Sequence, residues 1–477
     1  MHAIRRRTTD SSSLPARSCS LARRWRHSVS LRHSQRYIIP PEGSETFTIR
    51  VALPVRMVSQ QSRCAPEGHS GRCARQNETK ERTMAEKLAI DGGTPIRTKP
   101  MPPGNPGEVL IGVEEREQVL EVLDAHSPFR FYGPNVQKKA EQFESEFTSF
   151  VGMKNALGVT SGTAALKVSL LAAGVGPGDE VIVPAVTFIA SAGVVVACHA
   201  RPVFVDVGPD MGIDPDDLER HITERTKAIM PVHILGGAAN MEPIMRVAEK
   251  HGITVIEDCA QSAGAEYHGK RIGSFGHINA FSLQFQKVIT AGEGGVVTTN
   301  DGRLFDRARR AHDHGLNRWD AGKPEDAFCG EVYRMNEMSG AFALAQLRKL
   351  PRMLETMRKH SKRVRDAVAK YDDLELRSLA DADGATGQYT MFYARTKELA
   401  DRWIQALQKE GVGGMRLYGG TLVLEHPQIM NQRTASEHGP FDSPLYPERI
   451  VYRVEDYRQS KALLDRSVWI LTSPAYT

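Results

Sequence analysis

The chain has 477 residues, 40% of them hydrophobic and 25% charged, which is enough apolar content for a large core and more than one domain. The longest apolar run, Phe188 to Cys198, is about half the roughly 20 residues that a membrane-spanning helix needs, so no membrane partner is expected. The formal charge of +5 comes from the front: residues 1–83 carry 16 basic and 6 acidic residues, leaving 46 and 51 for the remainder. The body therefore has no basic surplus that would point to nucleic acid.

Residues 1–83 are rich in Arg and Ser and show no helical or strand period. They read as a disordered extension, or as a start called too early, with a transit peptide as a third reading. Met84 opens "MAEKLAIDGGTPIR", an ordinary protein start. Cys19, Cys64 and Cys73 lie in the front segment; Cys198, Cys259 and Cys329 lie in the body, with no CxxC pair. Scattered body cysteines suit a reducing cytoplasm, and no metal centre is expected.

From Asn155 onward the pattern is regular. "ALGVT" reads as a strand, "GTAALKVSLLAAG" as a helix, "DEVIVPA" as a strand, "FIASAGVVVACHA" as a helix and "RPVFVDV" as a strand. "DPDDLERHI" reads as a capped helix, "KAIMPVHI" as a strand, "MEPIMRVAEKHG" as a helix stopped by glycine, and "ITVIEDC" as a strand. Such alternation predicts βαβ units: an α/β fold with a mostly parallel sheet between two helical layers. Ligands of such sheets gather at the carboxyl ends of the strands. After Lys349 comes a long charged helical pattern, followed by a strand and a helix around "GQYTMFYARTKELADRWIQALQKEG". The expected organisation is a large domain over 84–349, including an N-terminal arm, and a smaller α+β domain over 350–477.

Three strand ends carry candidate chemistry. "VTSGTAAL" puts Ser161, Gly162 and Thr163 between strand and helix, where free N–H groups and the helix dipole favour an anion such as phosphate. "VIEDCAQSAG" puts Glu257, Asp258 and Gln261 at the end of a buried strand; a carboxylate there suits a protonated ring nitrogen. "FSLQFQKVITAGEGG" puts Lys287 beside Phe285, Val288 and Ile289, with Ser282 five residues earlier. A desolvated lysine is a usable amine nucleophile. Taken singly, these are an N-cap, a capping acid and a surface lysine. Together, a phosphate cradle, a ring-nitrogen acid and an imine-forming lysine are what pyridoxal phosphate requires. Phe188 in "PAVTFIASA" offers an aromatic face for the ring.

The motifs "SGTAAL", "PAVTFIASA", "PVHILG", "EDCAQSAGA", "FSLQFQKVITAGEGG" and "YRMNEMSGAFALAQL" resemble those of the DegT/DnrJ/StrS aminotransferases, the sugar and cyclitol branch of the fold-type I pyridoxal-phosphate enzymes. The resemblance spans roughly Gly92 to Thr477. It implies that Lys287 carries the cofactor and moves the substrate proton, and that Asp258 holds the pyridine nitrogen protonated. It further implies that Gln261 bonds the ring hydroxyl, Phe188 stacks on the ring, and Gly162, Thr163 and Ser282 bind the phosphate. The function it implies is amino transfer from glutamine or glutamate to a keto sugar or keto cyclitol, most like the enzymes that aminate scyllo-inosose, in a cytoplasmic homodimer. The alternatives are a nucleotide-sugar aminotransferase with glutamate as donor, or a cofactor-binding relative that does not transaminate. Val332 stands where the family has an asparagine that reaches the neighbouring subunit's phosphate. The chain stops at "WILTSPAYT", where the family continues with an acidic helix, so the smaller domain is expected to be truncated.

Overall fold

The computed structural model describes residues 87–316, 318, 326–435 and 439–476; the expected extension over 1–83 lies outside them. Three helices precede the sheet: α1 (Pro106–Val109), α2 (Val113–Asp124) and α3 (Lys139–Val151). The Glu115 carboxylate caps α2 by accepting the Gly112 N–H at 2.7 Å. Gly152, at φ +80°, ends α3 in the left-handed conformation that glycine adopts without strain.

The alternation follows as β1 (Asn155–Val159), α4 (Gly162–Ala172), β2 (Glu180–Pro184), α5 (Ile189–Ala197), β3 (Arg201–Val205), α6 (Pro215–Arg220), β4 (Thr226–Ile229), α7 (Met241–His251) and β5 (Thr254–Asp258). A short hairpin, β6 (Glu266–Tyr267) and β7 (Lys270–Arg271), leads to β8 (Ile278–Ser282), β9 (Gly295–Thr299) and α8 (Gly302–Ala311). The seven-stranded sheet has the order β1-β9-β8-β5-β4-β2-β3. The pairs from β8 to β3 are parallel, whereas β9 runs antiparallel to both β1 and β8. Strand alternation divides the core in two. Val181 and Val183 pack with Leu157, Phe204 and Ile256, while Ile182 packs with Ala156, Val255 and Phe281. Both faces are covered by helices, which is why the strands read as continuous apolar runs. The regular part of β4 stops at Ile229, short of the expected strand, because Pro231 has no N–H for the ladder; Val232 still bridges to Asp258.

The apolar part of the "YRMNEMSGAFALAQL" motif and the charged pattern after Lys349 form one helix, α9 (Glu337–Val368), 32 residues long. Asn336 caps it, accepting the Ser339 N–H at 2.8 Å. Gly340 lets it lie directly on α3, since a Cβ there would stand 2.5 Å from the Ala140 Cα. In its first half Ala341, Ala345 and Leu347 are buried, whereas Met338 is exposed. Beyond it lie β10 (Leu374–Leu376), β11 (Tyr389–Ala394), α10 (Lys397–Lys409), α11 (Pro427–Met430), α12 (Arg458–Arg466) and β12 (Ser467–Leu471). β10, β11 and β12 form an antiparallel sheet. Its Phe392 and Ala394 pack on Ala400 and Trp403, while the alternate residues Met391 and Tyr393 join the larger core. No helix of the described residues is long and apolar enough to cross a membrane.

Candidate active site

The carboxyl ends of β1, β5 and β8 converge. After β1, Ser161 caps α4: its Oγ accepts the Ala164 N–H at 3.0 Å. The N-cap reading is therefore correct for Ser161. It leaves the N–H groups of Gly162 and Thr163, which have no intrahelical partner, at the positive end of an eleven-residue helix. Ser282, at the end of β8, closes the other side. A Cβ on Gly162 would stand 2.6 Å from the Ser282 Cβ, so glycine is required for this approach. The two backbone donors of Gly162 and Thr163, with the hydroxyl-bearing Thr163 and Ser282 close by, are the groups here that could hold an anion.

Neighbouring positions on β5 diverge. Glu257 points to one side of the sheet and is spent structurally: it accepts N–H groups from Gly273, Phe275 and Gly276 at 2.6–2.8 Å and faces His233 Nε2 at 3.0 Å. The Ala239 N–H donates to His233 Nδ1, so His233 carries its proton on Nε2 and donates it to Glu257. The buried trio His233, Glu257 and Cys259 has metal-ligand residue types, but the ring and the carboxylate are already saturated with hydrogen bonds. Asp258 points the other way. It is 4% exposed, with Oδ1 accepting the Ala260 N–H at 3.1 Å and Oδ2 accepting Ser191 Oγ–H at 2.9 Å. Ser191 in turn pairs with Thr187 at 2.8 Å. Burial raises the Asp258 pKa, against the lowering effects of Ala260 N–H, Ser191 and Lys287.

Lys287 lies in the loop between β8 and β9. Leu283 and Ala291 close the base of this loop, and Thr290 Oγ1 donates to the Leu283 carbonyl at 3.1 Å. Val288 and Ile289 anchor it in the core, but Phe285, expected to help dry the site, is 41% exposed and faces outward. Burial lowers the Lys287 pKa below its ordinary 10.5, and the nearby Asp258 charge partly opposes this. Burial thus disfavours the charged form of both the amine and the carboxyl, and their mutual attraction partly offsets this. Phe188 stands at the N-cap of α5 with 57% of its surface exposed. Such an aromatic face at a strand end has room for a flat ring. Gln261 accepts the Leu235 N–H at 3.2 Å and donates to the Tyr418 hydroxyl at 2.8 Å. Ser191, Thr187 and Tyr418 were not singled out from sequence. Ser191 lies in the first turn of α5, whereas nothing local in the sequence indicates Tyr418.

Residues 110–448 match the DegT/DnrJ/EryC1/StrS aminotransferase family. The chain belongs to that family. Over 241 residues it is 42% identical to the GDP-perosamine synthase of Caulobacter vibrioides, covering 50% of this chain and 62% of that one. Over 332 residues it is 36% identical to the L-glutamine:2-deoxy-scyllo-inosose aminotransferase of Streptomyces kanamyceticus, covering 67% and 75%. The chain thus spans less than two thirds of the first relative and three quarters of the second. Among solved structures, an aminotransferase from Psychrobacter cryohalolentis superposes with a TM-score of 0.66 at 31% identity, over 79% of this chain and 95% of that one. A 3-amino-5-hydroxybenzoic acid synthase superposes with a TM-score of 0.65 at 28% identity, over 78% and 93%. Val332 is 41% exposed and forms an isolated antiparallel bridge with Asp313.

Proposed function

We propose that this aminotransferase uses pyridoxal 5′-phosphate to transfer an amino group from glutamine or glutamate to a keto sugar or keto cyclitol. The supporting observation is a desolvated Lys287 within electrostatic reach of the buried Asp258, on a sheet whose strand ends also bring Ser282 against the glycine that opens α4. When bound, the cofactor supplies an electron sink for the substrate carbon and a carrier for the amino group. Gly162, Thr163 and Ser282 hold its phosphate. Asp258 keeps a proton on its ring nitrogen, with Ser191 and the Ala260 N–H fixing the carboxylate. Phe188 covers one ring face, and Gln261 bonds the ring oxygen. Lys287 would hold the cofactor, and its amine would move the proton at the substrate carbon.

The relatives' names support this acceptor class: one names GDP-perosamine, the other 2-deoxy-scyllo-inosose with L-glutamine as donor. A cyclitol acceptor with glutamine as donor is the first reading. A nucleotide-linked keto sugar is the second, favoured by the higher identity to the perosamine enzyme. The test is borohydride reduction with peptide mapping, then absorbance of the holoenzyme with glutamine and glutamate in turn, then turnover with keto cyclitols and nucleotide keto sugars. A reduced adduct on any lysine other than Lys287, or no spectral change with either donor, sinks the proposal. A cytoplasmic site is in keeping with the unpaired thiols of Cys198, Cys259 and Cys329.

The working unit we propose is a homodimer in which the loop carrying Val332 faces the neighbour's cofactor. If Val332 replaces a phosphate-binding asparagine, Val332→Asn tightens cofactor binding by about 0.5–1.5 kcal/mol, the net worth of one hydrogen bond, and only in the dimer. Cofactor titration with light scattering on one sample decides it; a fully active monomer refutes the dimer.

A further inference from the structure

The side chain of Gln261 is fixed at both ends, and one of those ends belongs to a distant part of the chain. Its Oε1 accepts the Leu235 N–H at 3.2 Å, from the loop after β4. That backbone donor settles which end of the amide is oxygen. Its Nε2 donates to the Tyr418 hydroxyl at 2.8 Å, 157 residues away. Tyr418 sits in a segment that leaves the second sheet, where Met415 bridges Trp469, and returns to the large one, where the Val423 N–H donates to the Ala185 carbonyl at 2.9 Å. Leu417, Leu422, Val423 and Leu424 are buried along it. The backbone of Tyr418 is left-handed, at φ +46°, ψ 27°, a conformation that is strained for a non-glycine residue. Its phenol is close enough to Asp258 to feel that charge, which adds to burial in raising its pKa well above 10.

Gln261 has two amide hydrogens. One goes to Tyr418, and the planar amide then aims the other in a set direction. We propose that Tyr418 is a positioning residue: it locks the Gln261 amide so that the remaining N–H is held toward the cofactor ring oxygen, and thereby ties the electronic state of the site to the docking of the 417–425 segment. This rests on the assignment of Gln261 to the ring oxygen in the proposed function.

An N–H donated to the ring oxygen competes with the chromophore's own titrating proton for that oxygen. Loosening Gln261 therefore raises the pH midpoint of the resting holoenzyme's visible absorption. Tyr418→Phe removes only the hydroxyl. Spectral pH titrations of wild type, Tyr418→Phe, Gln261→Leu and the double variant, each checked for a wild-type thermal melt, form a cycle. Expected are a reduced adduct on Lys287 throughout, a rise of about 0.4–1 pH unit in Tyr418→Phe, the worth of one ordinary hydrogen bond, and no further rise when Tyr418→Phe is added to Gln261→Leu. A midpoint unchanged in Tyr418→Phe while Gln261→Leu shifts it overturns the role of Tyr418. So does full additivity in the double variant. A wild-type midpoint in Gln261→Leu overturns the assignment of Gln261 itself, and the Tyr418 proposal with it.

Discussion

At the scale of single residues, the site is built on contrasts between neighbours. Asp258 is held by one hydroxyl and one N–H, which orient it but leave lone pairs for a ring nitrogen. Asp258→Asn keeps that shape and removes the charge. Turnover is expected to fall by orders of magnitude while cofactor affinity falls modestly, because the electron sink depends on the proton the charge retains. Steady-state rates beside cofactor titration separate the two, and near-normal turnover would rule the role out. Gly162 supports a simpler prediction. Its missing side chain is the space that brings α4 against Ser282. Gly162→Ala is expected to push the two apart and weaken cofactor binding by about 1–3 kcal/mol, the usual range for overpacking, as measured by equilibrium titration. An unchanged affinity would move the phosphate elsewhere.

At the scale of elements, what was legible depended on distance along the chain. Lys287, Asp258 and Gly162 each follow an apolar run that had to be a buried strand, so their placement at strand ends could be read from pattern alone. The same pattern could not say which of Glu257 and Asp258 faces the site. That depends on strand register, and the answer appears only in the loop 273–276 that claims Glu257. The length of α9 was hidden because its apolar half and its charged half read as different elements. Both halves belong to one continuous helix, with Pro351 inside it. The end of α8 carries a pH-sensitive element. His312, fully buried at its C-cap, has its pKa lowered to about 4, mainly by burial, with Arg130 and Arg334 adding to the effect and Arg309 carbonyl and Asp313 opposing it. The unfolded chain takes up this proton near pH 6.5 and the folded one does not until about pH 4. The contribution is therefore intact above pH 6.5 and is lost as pH falls toward 4, amounting to about 3 kcal/mol. Melting temperatures at pH 7 and pH 5 are expected to differ less in His312→Gln than in the wild type.

At the scale of the whole molecule, the loop after β4 serves two structures. Arg377, buried before the second sheet's central strand, donates to the Ile234 carbonyl at 2.8 Å, and the Thr386 N–H donates to the Gly236 carbonyl at 2.8 Å. Between them, Leu235 meets Gln261. Gly236 is at φ +78°, and a Cβ there would stand 2.2 Å from Thr386 Oγ1. Gly236→Ala is expected to cost about 1–3 kcal/mol of stability, from the left-handed backbone and the collision together, and to weaken cofactor binding although the residue lies outside the cradle. Thermal melts of the cofactor-free protein and cofactor titration read the two effects. A loss of stability with unchanged cofactor affinity would sever this link between the second sheet and the site.

The sheet order also dictates a sequence of events during folding. β1 enters the sheet only through β9, with Asn155 opposite Thr299, and β9 in turn needs β8 on its other edge. The first strand made is thus among the last to be seated, after a loop of more than a hundred residues has closed, a slow step because non-local pairing must offset its entropy before it gains contacts. Until then Gly162 and Ser282 are strangers. A nascent or refolding chain can bring together Asp258, on β5, and the loop after β8 that carries Lys287 before β1 is seated; under the proposed function, colour from added pyridoxal phosphate is expected only once that edge strand has paired.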